Sequence, residues 1–400
     1  MSKHKKNAHS GISRNQNTTP KVINLAAKKS TNVSQILNQL LQTAKTRQRQ
    51  DISNWLSALR AAENIDTPRL QSLMRVYDSI IIDLHLSSVI NTRKLRVMGE
   101  TFVIQDASGN EDAEKTALLS KPWFYEFISL AMDCIFKGYG IIELGDVNID
   151  GELVNVDEIP REHIVPRKGE ILIALSDAKG IQWKTNEVAA RLIEVGNPND
   201  LGLLMKAAPV VLMKKNVLSA WSEYAEVFGM PIRIGKISSQ NETDRMRMEN
   251  FLKEMGTAPY AVVDINDDIQ FAETKNTGAI DVYDKFIDRV DAQISKLIFG
   301  QTMTSDNGTS YGQAKVHEGI AEDYTSADRR FIEFLINYQL LPKLTQYFGY
   351  DFNGVKFKFN IKEEITELDL KIDEFLIRNF TVDPTHFSKK YGVELKPLKK

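Results

Sequence analysis

One stretch of this chain has the residue types that could bind a nucleotide phosphate. The run Gly229–Lys236, Gly-Met-Pro-Ile-Arg-Ile-Gly-Lys, contains two glycines followed by a lysine, as a phosphate-binding loop does. Its glycines are one residue too far apart, and Ile237 stands where a Ser or Thr would hold magnesium. The pattern therefore favours a strand that leaves a helix.

A second stretch, 146–157, has the oxygen-bearing side chains of a calcium-binding loop at its first, third and fifth positions and a glycine at its sixth. Its twelfth position is Asp157 instead of the longer bidentate Glu, and strand-like patterns flank it instead of helices. A β-hairpin that turns at Asp150-Gly151 explains all of these residues. We predict no metal here.

A third set of residues, Asp264, Asp267 and Asp268, could hold the metal ion of a nuclease, although Asn266-Asp-Asp reads equally well as a turn. The histidines, with no partner at metal-ligand spacing, are at positions 4, 9, 85, 163, 317 and 386. No catalytic residue, metal or cofactor is predicted. An enzyme of DNA packaging, a nuclease or an ATPase, remains the alternative, with these aspartates or Lys236 as its active groups.

Composition is that of a folded protein, with 42% apolar and 26% charged residues and no membrane-length apolar run. The single cysteine, Cys134, excludes an internal disulfide and indicates folding in a reducing cytoplasm. The formal net charge of −2 conceals an asymmetry, because residues 1–50 contain ten Lys/Arg and no Asp or Glu. We expect a largely disordered basic arm, which either contacts phosphate or is simply a solvated tail.

The chain is organised around residues 279–347, which read as a helix, a polar loop and a longer helix. The apolar residues of the first helix recur in steps of three and four, at Ile280, Tyr283, Ile287, Val290, Ile294 and Leu297. Gly300 is predicted to stop this helix in the left-handed conformation. The second helix starts at Gln313 and reaches Pro342, where it should end, kink or restart. Spacing alone is also satisfied by a helical hairpin with a solvated loop.

The remaining elements are predicted from periodicity and turn signals. Residues 50–201 read as one α+β unit, in which Thr67 caps a helix that runs from Pro68 to about Arg93. Strands are expected at 101–105, 141–144, 151–156 and 355–360. A long apolar helix covers 201–228, a small module of strands and one helix precedes 279, and a helix covers 362–379, before a loose basic tail from Lys389.

Two runs are similar to the Mu-type family of phage portal proteins. The first is Ile294–His317, which reads as a helix end, "I-x-K-x-I-x-G-Q-T-x-T", then a Gly/Ser-rich loop and an "A-x-V-H" helix start. The second, Glu226–Lys236, reads "E-x-F-G-x-P-x-R-x-G-K". The helix from Tyr77 to Lys94 adds a weaker match. The motif residues are Gly300, Gln301, His317, Phe228, Gly229, Pro231, Arg233, Gly235 and Lys236.

The resemblance implies an α+β portal fold with several parts. These are a wing (51–201), stem helices (202–228 and 279–300), a small α/β clip (229–278), a tunnel loop (301–312), a long wing helix and strand (313–363), and a reduced C-terminal crown (364–400). The implied DNA-channel residues are Thr302, Thr304, Ser305, Asn307, Thr309 and Ser310. Such a loop offers short hydroxyl and amide contacts and one charge, Asp306.

The function implied by the resemblance is a ring, normally dodecameric, at one vertex of a capsid. Double-stranded DNA enters through it, contacting it transiently and without sequence specificity, and later leaves to the tail. The expected partners are further copies of the chain, the terminase large subunit, head-completion proteins, and the major capsid or scaffold protein, with no membrane. The expected location is the virion, after assembly in the host cytoplasm. A minor capsid protein without a channel is a further alternative.

Overall fold

The structure is a computed structural model of the 400-residue chain. It describes residues 49–149, 152–185, 187–228, 232–236, 241–254, 268–272, 277–302, 311–360 and 367–391. Within these ranges no helix is long and apolar enough to cross a lipid bilayer.

The helices of the first part of the chain are α1 (49–62), α2 (Gln71–Ile80), α3 (Leu84–Met98), α4 (Ala113–Leu119) and α5 (Pro122–Lys137). The later helices are α6 (Leu204–Phe228), α7 (Glu242–Glu254), α8 (Thr277–Phe299), α9 (Tyr311–Leu335), α10 (Leu341–Tyr347), α11 (Glu367–Asn379) and α12 (Pro384–Tyr391). The long predicted helices are therefore present: α6 and α8 lie within three residues of the bounds expected for them, and α9 begins two residues before Gln313.

The strands are short and form small antiparallel sheets. They are β1 (Phe102–Gln105), β2 (Gly140–Leu144), β3 (Val156–Glu158), β4 (Ile164–Val165), β5 (Glu170–Ile171), β6 (Ile181–Gln182), β7 (Leu192–Val195), β8 (Ile232–Lys236), β9 (Asp268–Ala272) and β10 (Lys356–Phe359). β1 pairs with β10, β8 pairs with β9, and the orders β3-β2-β7 and β4-β5-β6 make two three-stranded sheets. This mixture of helices and sheets confirms the predicted α+β class.

An α/β core forms around α5, which packs its aromatic face against two sheets and the end of α9. Phe124 contacts Phe102 of β1 and Phe357 of β10, with ring centroids 5.0 and 5.7 Å apart. The free edge of β10 is covered by side chains of α9 and the turn after it. Asn337 Oδ1 accepts from the Phe357 amide at 2.7 Å, and Glu333 Oε1 accepts from the Phe359 amide at 3.0 Å. A potentially aggregating edge is thereby closed.

A second core is helical and contains the buried faces of α1, α2, α3, the start of α6 and the end of α8. Its members include Leu73, Val89, Ala208 and Ile294. Phe136, near the end of α5, belongs to this core although the rest of that helix belongs to the first one. The helix α5 therefore joins the α/β core to the helical layer.

The long helix α9 restarts at its proline, as the sequence allowed. Residues Ile336–Leu340 form a π-helical turn, in which the Leu341 amide donates to the Ile336 carbonyl, and Pro342 lies in the first turn of α10. Proline has no N–H and clashes with the carbonyl four residues before it, and the wider turn makes room for it.

The helix predicted from Pro68 to about Arg93 is wrong, because the chain forms two helices there. Asp83 has extended dihedral angles and caps α3 by accepting a hydrogen bond from the Leu86 amide at 2.9 Å. Thr67 caps nothing: its amide donates to the Asn64 side chain in a turn, and α2 begins only at Gln71.

Two further expectations need correction. The strand expected at 151–156 lies later, at Val156–Glu158, although Val147 and Leu153 do form the antiparallel bridge of the predicted hairpin. The C-terminal part contains a second helix that was not predicted, α12, and it extends to Tyr391, into the tail predicted to be loose from Lys389. The basic arm up to residue 48, residues 255–267 of the small module predicted before 279, and the hairpin tip Asp150-Gly151 lie outside the described residues.

Candidate functional site

The candidate site is the junction where α8 ends and α9 begins its buried stretch. Gly300 ends α8 with a positive φ of +73°, and its amide donates to the Lys296 carbonyl at 2.9 Å. A Cβ atom at this position would lie 2.5 Å from Cε2 of Tyr324 on α9. The predicted glycine stop is confirmed, and the structure adds a second reason for it, the close approach of an aromatic ring.

A buried guanidinium from α3 binds both sides of this junction. Arg93 donates from Nε and Nη2 to the two carboxylate oxygens of Asp328 on α9, at 2.7 and 2.8 Å. Its Nη1 donates to the carbonyl of Ile298, in the last turn of α8, at 2.6 Å. Arg93 and Asp328 are only 7% and 4% exposed, so this bidentate pair lies away from water.

Aromatic rings complete the surroundings of Arg93. Its guanidinium carbon lies 4.9 Å from the centroid of the Tyr324 ring and 5.8 Å from that of Phe136. Tyr324 is the residue that excludes a side chain at Gly300. Arg93, Tyr324 and Gly300 therefore form one continuous set of contacts from α3 to the end of α8.

Ion pairs along α9 extend this attachment on both sides of the buried pair. Arg96 of α3 forms two 3.1 Å hydrogen bonds with the carboxylate of Glu318, and its guanidinium lies 5.4 Å from the Phe299 ring centroid. Arg329 donates to Glu100 at 2.7 Å and also pairs with Glu322. The part of α9 from Glu318 to Arg329 is thus fixed to the C-terminal end of α3 and to Glu100, which follows it.

A second polar contact fixes α8 further from the junction. The Lys214 amine of α6 bridges Asp83 at 2.8 Å and Asp291 of α8 at 2.6 Å. Burial alone would lower the pKa of Lys214, but the hydrogen bonds to Asp291 and Asp83 outweigh it and raise the pKa. His85 lies 2.7 Å from the buried hydroxyl of Ser295. Helices α3, α6 and α8 are therefore joined by charged and polar side chains.

The structure describes the two ends of the predicted tunnel loop 301–312, and its last two residues, Tyr311 and Gly312, already belong to α9. Gln301 and Thr302 are half-buried, and Oε1 of Gln301 is buried with no hydrogen-bond partner among the described residues. The remaining loop residues Thr304, Ser305, Asn307, Thr309 and Ser310 lie outside the described residues. His317 is in the second turn of α9. The described residues that flank the segment 303–310 are therefore Thr302, just after α8, and Tyr311, the first residue of α9.

The second motif is split between a helix end and a strand. Phe228 is the last residue of α6, while Arg233, Gly235 and Lys236 lie in β8, with Lys236 opposite Asp268 of β9. A lysine in a paired strand has an extended backbone conformation, unlike the lysine of a phosphate-binding loop. The interpretation of this run as a strand is therefore confirmed. Gly229, Pro231, Asp264 and Asp267 lie outside the described residues.

Sequence reasoning missed Arg93, Asp328 and Tyr324 as members of the site. The available signal was an arginine on the apolar face of α3, spaced three and four residues from Ile90 and Val97. A buried charge of this kind needs a partner. Its identity could not be read from α3, because Asp328 is more than two hundred residues away along the chain.

The buried thiol of Cys134 contacts the guanidinium of Arg161, which has structural partners. Sγ of Cys134 lies 3.3 Å from Nη2 of Arg161. Nη1 of Arg161 donates to the carbonyl of Tyr139 at 3.0 Å, and its Nε pairs with Glu158. Burial raises the pKa of Cys134, and Arg161 opposes this only in part. Among the described residues there is no group of His, Cys, Asp and Glu that could hold a metal ion.

Comparisons with known proteins show the family of this chain. The family model described as the portal protein of Mu bacteriophage matches residues 74–393. The portal protein of Escherichia phage Mu is 23% identical over 306 residues, which cover 72% of this chain and 59% of that protein. The chain thus spans somewhat over half the length of this relative.

A solved structure shows the same fold. The neck of a native GTA particle, computed with C12 symmetry, has a chain that is 13% identical, with a TM-score of 0.51 over 86% of this chain and all of that one. An HK97 family phage portal protein from Corynebacterium diphtheriae is also 13% identical, over 76% of this chain and 97% of that chain, with a TM-score of 0.37.

Proposed function

This chain belongs to the Mu bacteriophage portal protein family, and on that premise we propose that its copies form a ring-shaped channel for DNA at a capsid vertex. Double-stranded DNA would pass inward during packaging and outward to the tail. The channel would stand at the neck of the virion, after assembly in the host cytoplasm. Its activity would be mechanical, without catalysis.

The observation that carries this proposal is the fixed junction at Gly300. One buried guanidinium, Arg93, binds the end of α8 and Asp328 in the later half of α9, so the segment 303–310 leaves from a rigid base at the end of α8. The segment itself contains four hydroxyl side chains, at Thr304, Ser305, Thr309 and Ser310, and one charged residue, Asp306. Short neutral contacts on a rigid base suit a surface past which a polyanion must slide without being held.

The other parts are assigned by the same premise. Helices α6 and α8, joined by Lys214 and Asp291, would be the stem, and β8, α7 and β9 would belong to the clip that meets the terminase and head-completion proteins. The α/β core around α5, with the long helix α9, would be the wing, facing the capsid or scaffold protein. The C-terminal α11 and α12 would stand in place of a crown.

Deletion of 303–310 tests the channel directly. We expect the deletion variant to assemble like the unaltered protein, because the junction residues are retained, but to yield particles that fail to package or to retain DNA. A matched control replaces the same eight residues with an uncharged Gly/Ser segment, which should keep DNA filling closer to normal. Particles of the deletion variant with unchanged DNA content would contradict the proposal.

The enzymatic alternative predicts a different result. Magnesium-dependent cleavage of DNA, or nucleotide hydrolysis, by the purified chain that is lost in Lys236→Ala or Asp268→Asn would favour a packaging enzyme. If the protein is a channel, the purified chain should show neither DNA cleavage nor nucleotide hydrolysis. Particles with the conservative change Asp268→Asn should then fill with DNA normally.

A further inference from the structure

The C-terminal helices α11 and α12 form a hairpin with its own polar lock. Asp373 of α11 is only 4% exposed, and both of its carboxylate oxygens accept from the Lys390 amine of α12, at 2.9 and 2.8 Å. Tyr391 also donates its hydroxyl to Asp373. This buried contact defines the side of α11 that faces α12.

Large apolar side chains of α11 are nevertheless exposed to solvent. Leu370 is 49% exposed, Ile372 46%, Phe375 59% and Ile377 61%. No residue of this hairpin belongs to the hydrophobic cores found in the described part of the chain. A helix with this much uncovered apolar surface normally packs against something outside its own subunit.

The exposed residues fall on two separate sides of α11. Leu370 and Ile377, seven positions apart, share one side, and Ile372 and Phe375, three positions apart, share another. Between the two sides, opposite α12, runs a ridge of exposed charged residues: Lys371, Glu374 and Arg378. The hairpin thus has α12 on one side, charges on the reverse, and an apolar face to the left and to the right.

Two apolar faces on opposite flanks are what a member of a closed ring requires. In a cyclic assembly each copy has two neighbours and meets them through two different surfaces. A surface for a single foreign partner, or for a twofold dimer, would need only one face. We propose that the α11–α12 hairpin inserts between the hairpins of the two neighbouring copies of this chain, with the Leu370/Ile377 face of one copy against the Ile372/Phe375 face of the next.

This inference rests on the proposed ring and specifies one of its subunit contacts. It is tested in the full-length chain with two double variants, Leu370→Glu with Ile377→Glu and Ile372→Glu with Phe375→Glu. Glutamate is at least as good a helix former as the residues it replaces, so circular dichroism should show unchanged helix content. The control, Lys371→Gln with Arg378→Gln, alters the charged ridge and shifts the net charge by the same amount.

Native mass measurement gives the readout, because each copy adds 45.3 kDa. We expect either face variant to raise the concentration needed for ring formation by at least about tenfold, whereas the control assembles normally. Mixing the two face variants should favour pairs of unlike copies, because one intact hairpin contact remains between them.

Rings that form normally in both face variants would overturn this inference and leave the channel proposal intact. Failure of the mixed variants to pair would overturn the face-to-face arrangement. An unaltered chain that stays a single subunit under assembly conditions would instead overturn the proposed function, so the two failures are distinguishable.

Discussion

Gly300 is the residue at which conformation and neighbours both exclude a side chain. Its φ of +73° is costly for any residue with a Cβ, and the Tyr324 ring occupies the space that a Cβ would need. Gly349 has a similar φ of +76°, but no atom lies within 4 Å of its missing Cβ. The two glycines therefore separate the cost of conformation from the cost of crowding.

We expect Gly349→Ala to lower the free energy of unfolding by about 1–2 kcal/mol, the cost of a left-handed residue. Gly300→Ala should lose roughly a further 1–3 kcal/mol, because the ring of Tyr324 and the end of α8 must move apart. Urea unfolding of the two variants measures this difference. Equal losses would show that Tyr324 does not press on Gly300.

Arg93 supplies a second prediction at this scale. Arg93→Met removes the partner of a buried carboxylate, so it should lower the free energy of unfolding by about 3–5 kcal/mol. Arg96→Met, in the more exposed pair with Glu318, is the matched control and should cost roughly 0–1 kcal/mol for the ion pair.

The double variant Arg93→Met with Asp328→Leu should recover much of the loss in unfolding free energy, because no unpaired charge remains buried. A loss of equal size in the Arg93 and Arg96 single variants would contradict the buried geometry.

Gly300 could be predicted from its place after an apolar stripe. Arg93 could not, since its role depends on Asp328, which only the folded chain brings near.

At the scale of elements, the bridge from Lys214 to Asp83 and Asp291 joins α6 to α3 and α8. The pKa of Lys214 is raised above its ordinary 10.5, so its contribution to stability is complete below that value and is lost as the pH rises through the higher folded-state pKa. We expect the difference in unfolding free energy between the unaltered chain and Lys214→Met to stay constant from neutral pH to about pH 10 and to shrink above it.

Urea unfolding across this pH range makes the measurement, and the comparison with the variant cancels the titration of other groups. Lys215 of the same helix is exposed, so Lys215→Met provides a control whose difference should stay small throughout. A difference for Lys214→Met that already falls between neutral pH and about pH 9 would mean that the bridge does not hold the ammonium form.

Helix positions were predictable where one apolar stripe continued, as in α6, α8 and α9. The break between α2 and α3 was not predictable, because the apolar pattern continues across it and only the cap by Asp83, fixed by Lys214 of α6, ends one helix and starts another. The helix α12 was missed for a related reason. Its contact with α11 through Asp373 and Lys390 stabilises a segment that is too short and too polar to be recognised alone.

At the scale of the whole molecule, the two largest cores are joined through α5, and large apolar side chains of the C-terminal helix α11 are left exposed. The family and the α+β class were predictable because two motifs carry specific residue types at specific spacing. The proposed contact between C-terminal hairpins was not predictable, since the exposed faces of α11 become visible only when the cores are known.

The most direct test of the channel is an electron cryomicroscopy map of the assembled, purified protein. We expect a closed ring around a central hole, with residues 301–312 of every copy at its narrowest point. A solitary subunit, or a ring in which this segment lies on the outer surface or inside its own protomer, would contradict it.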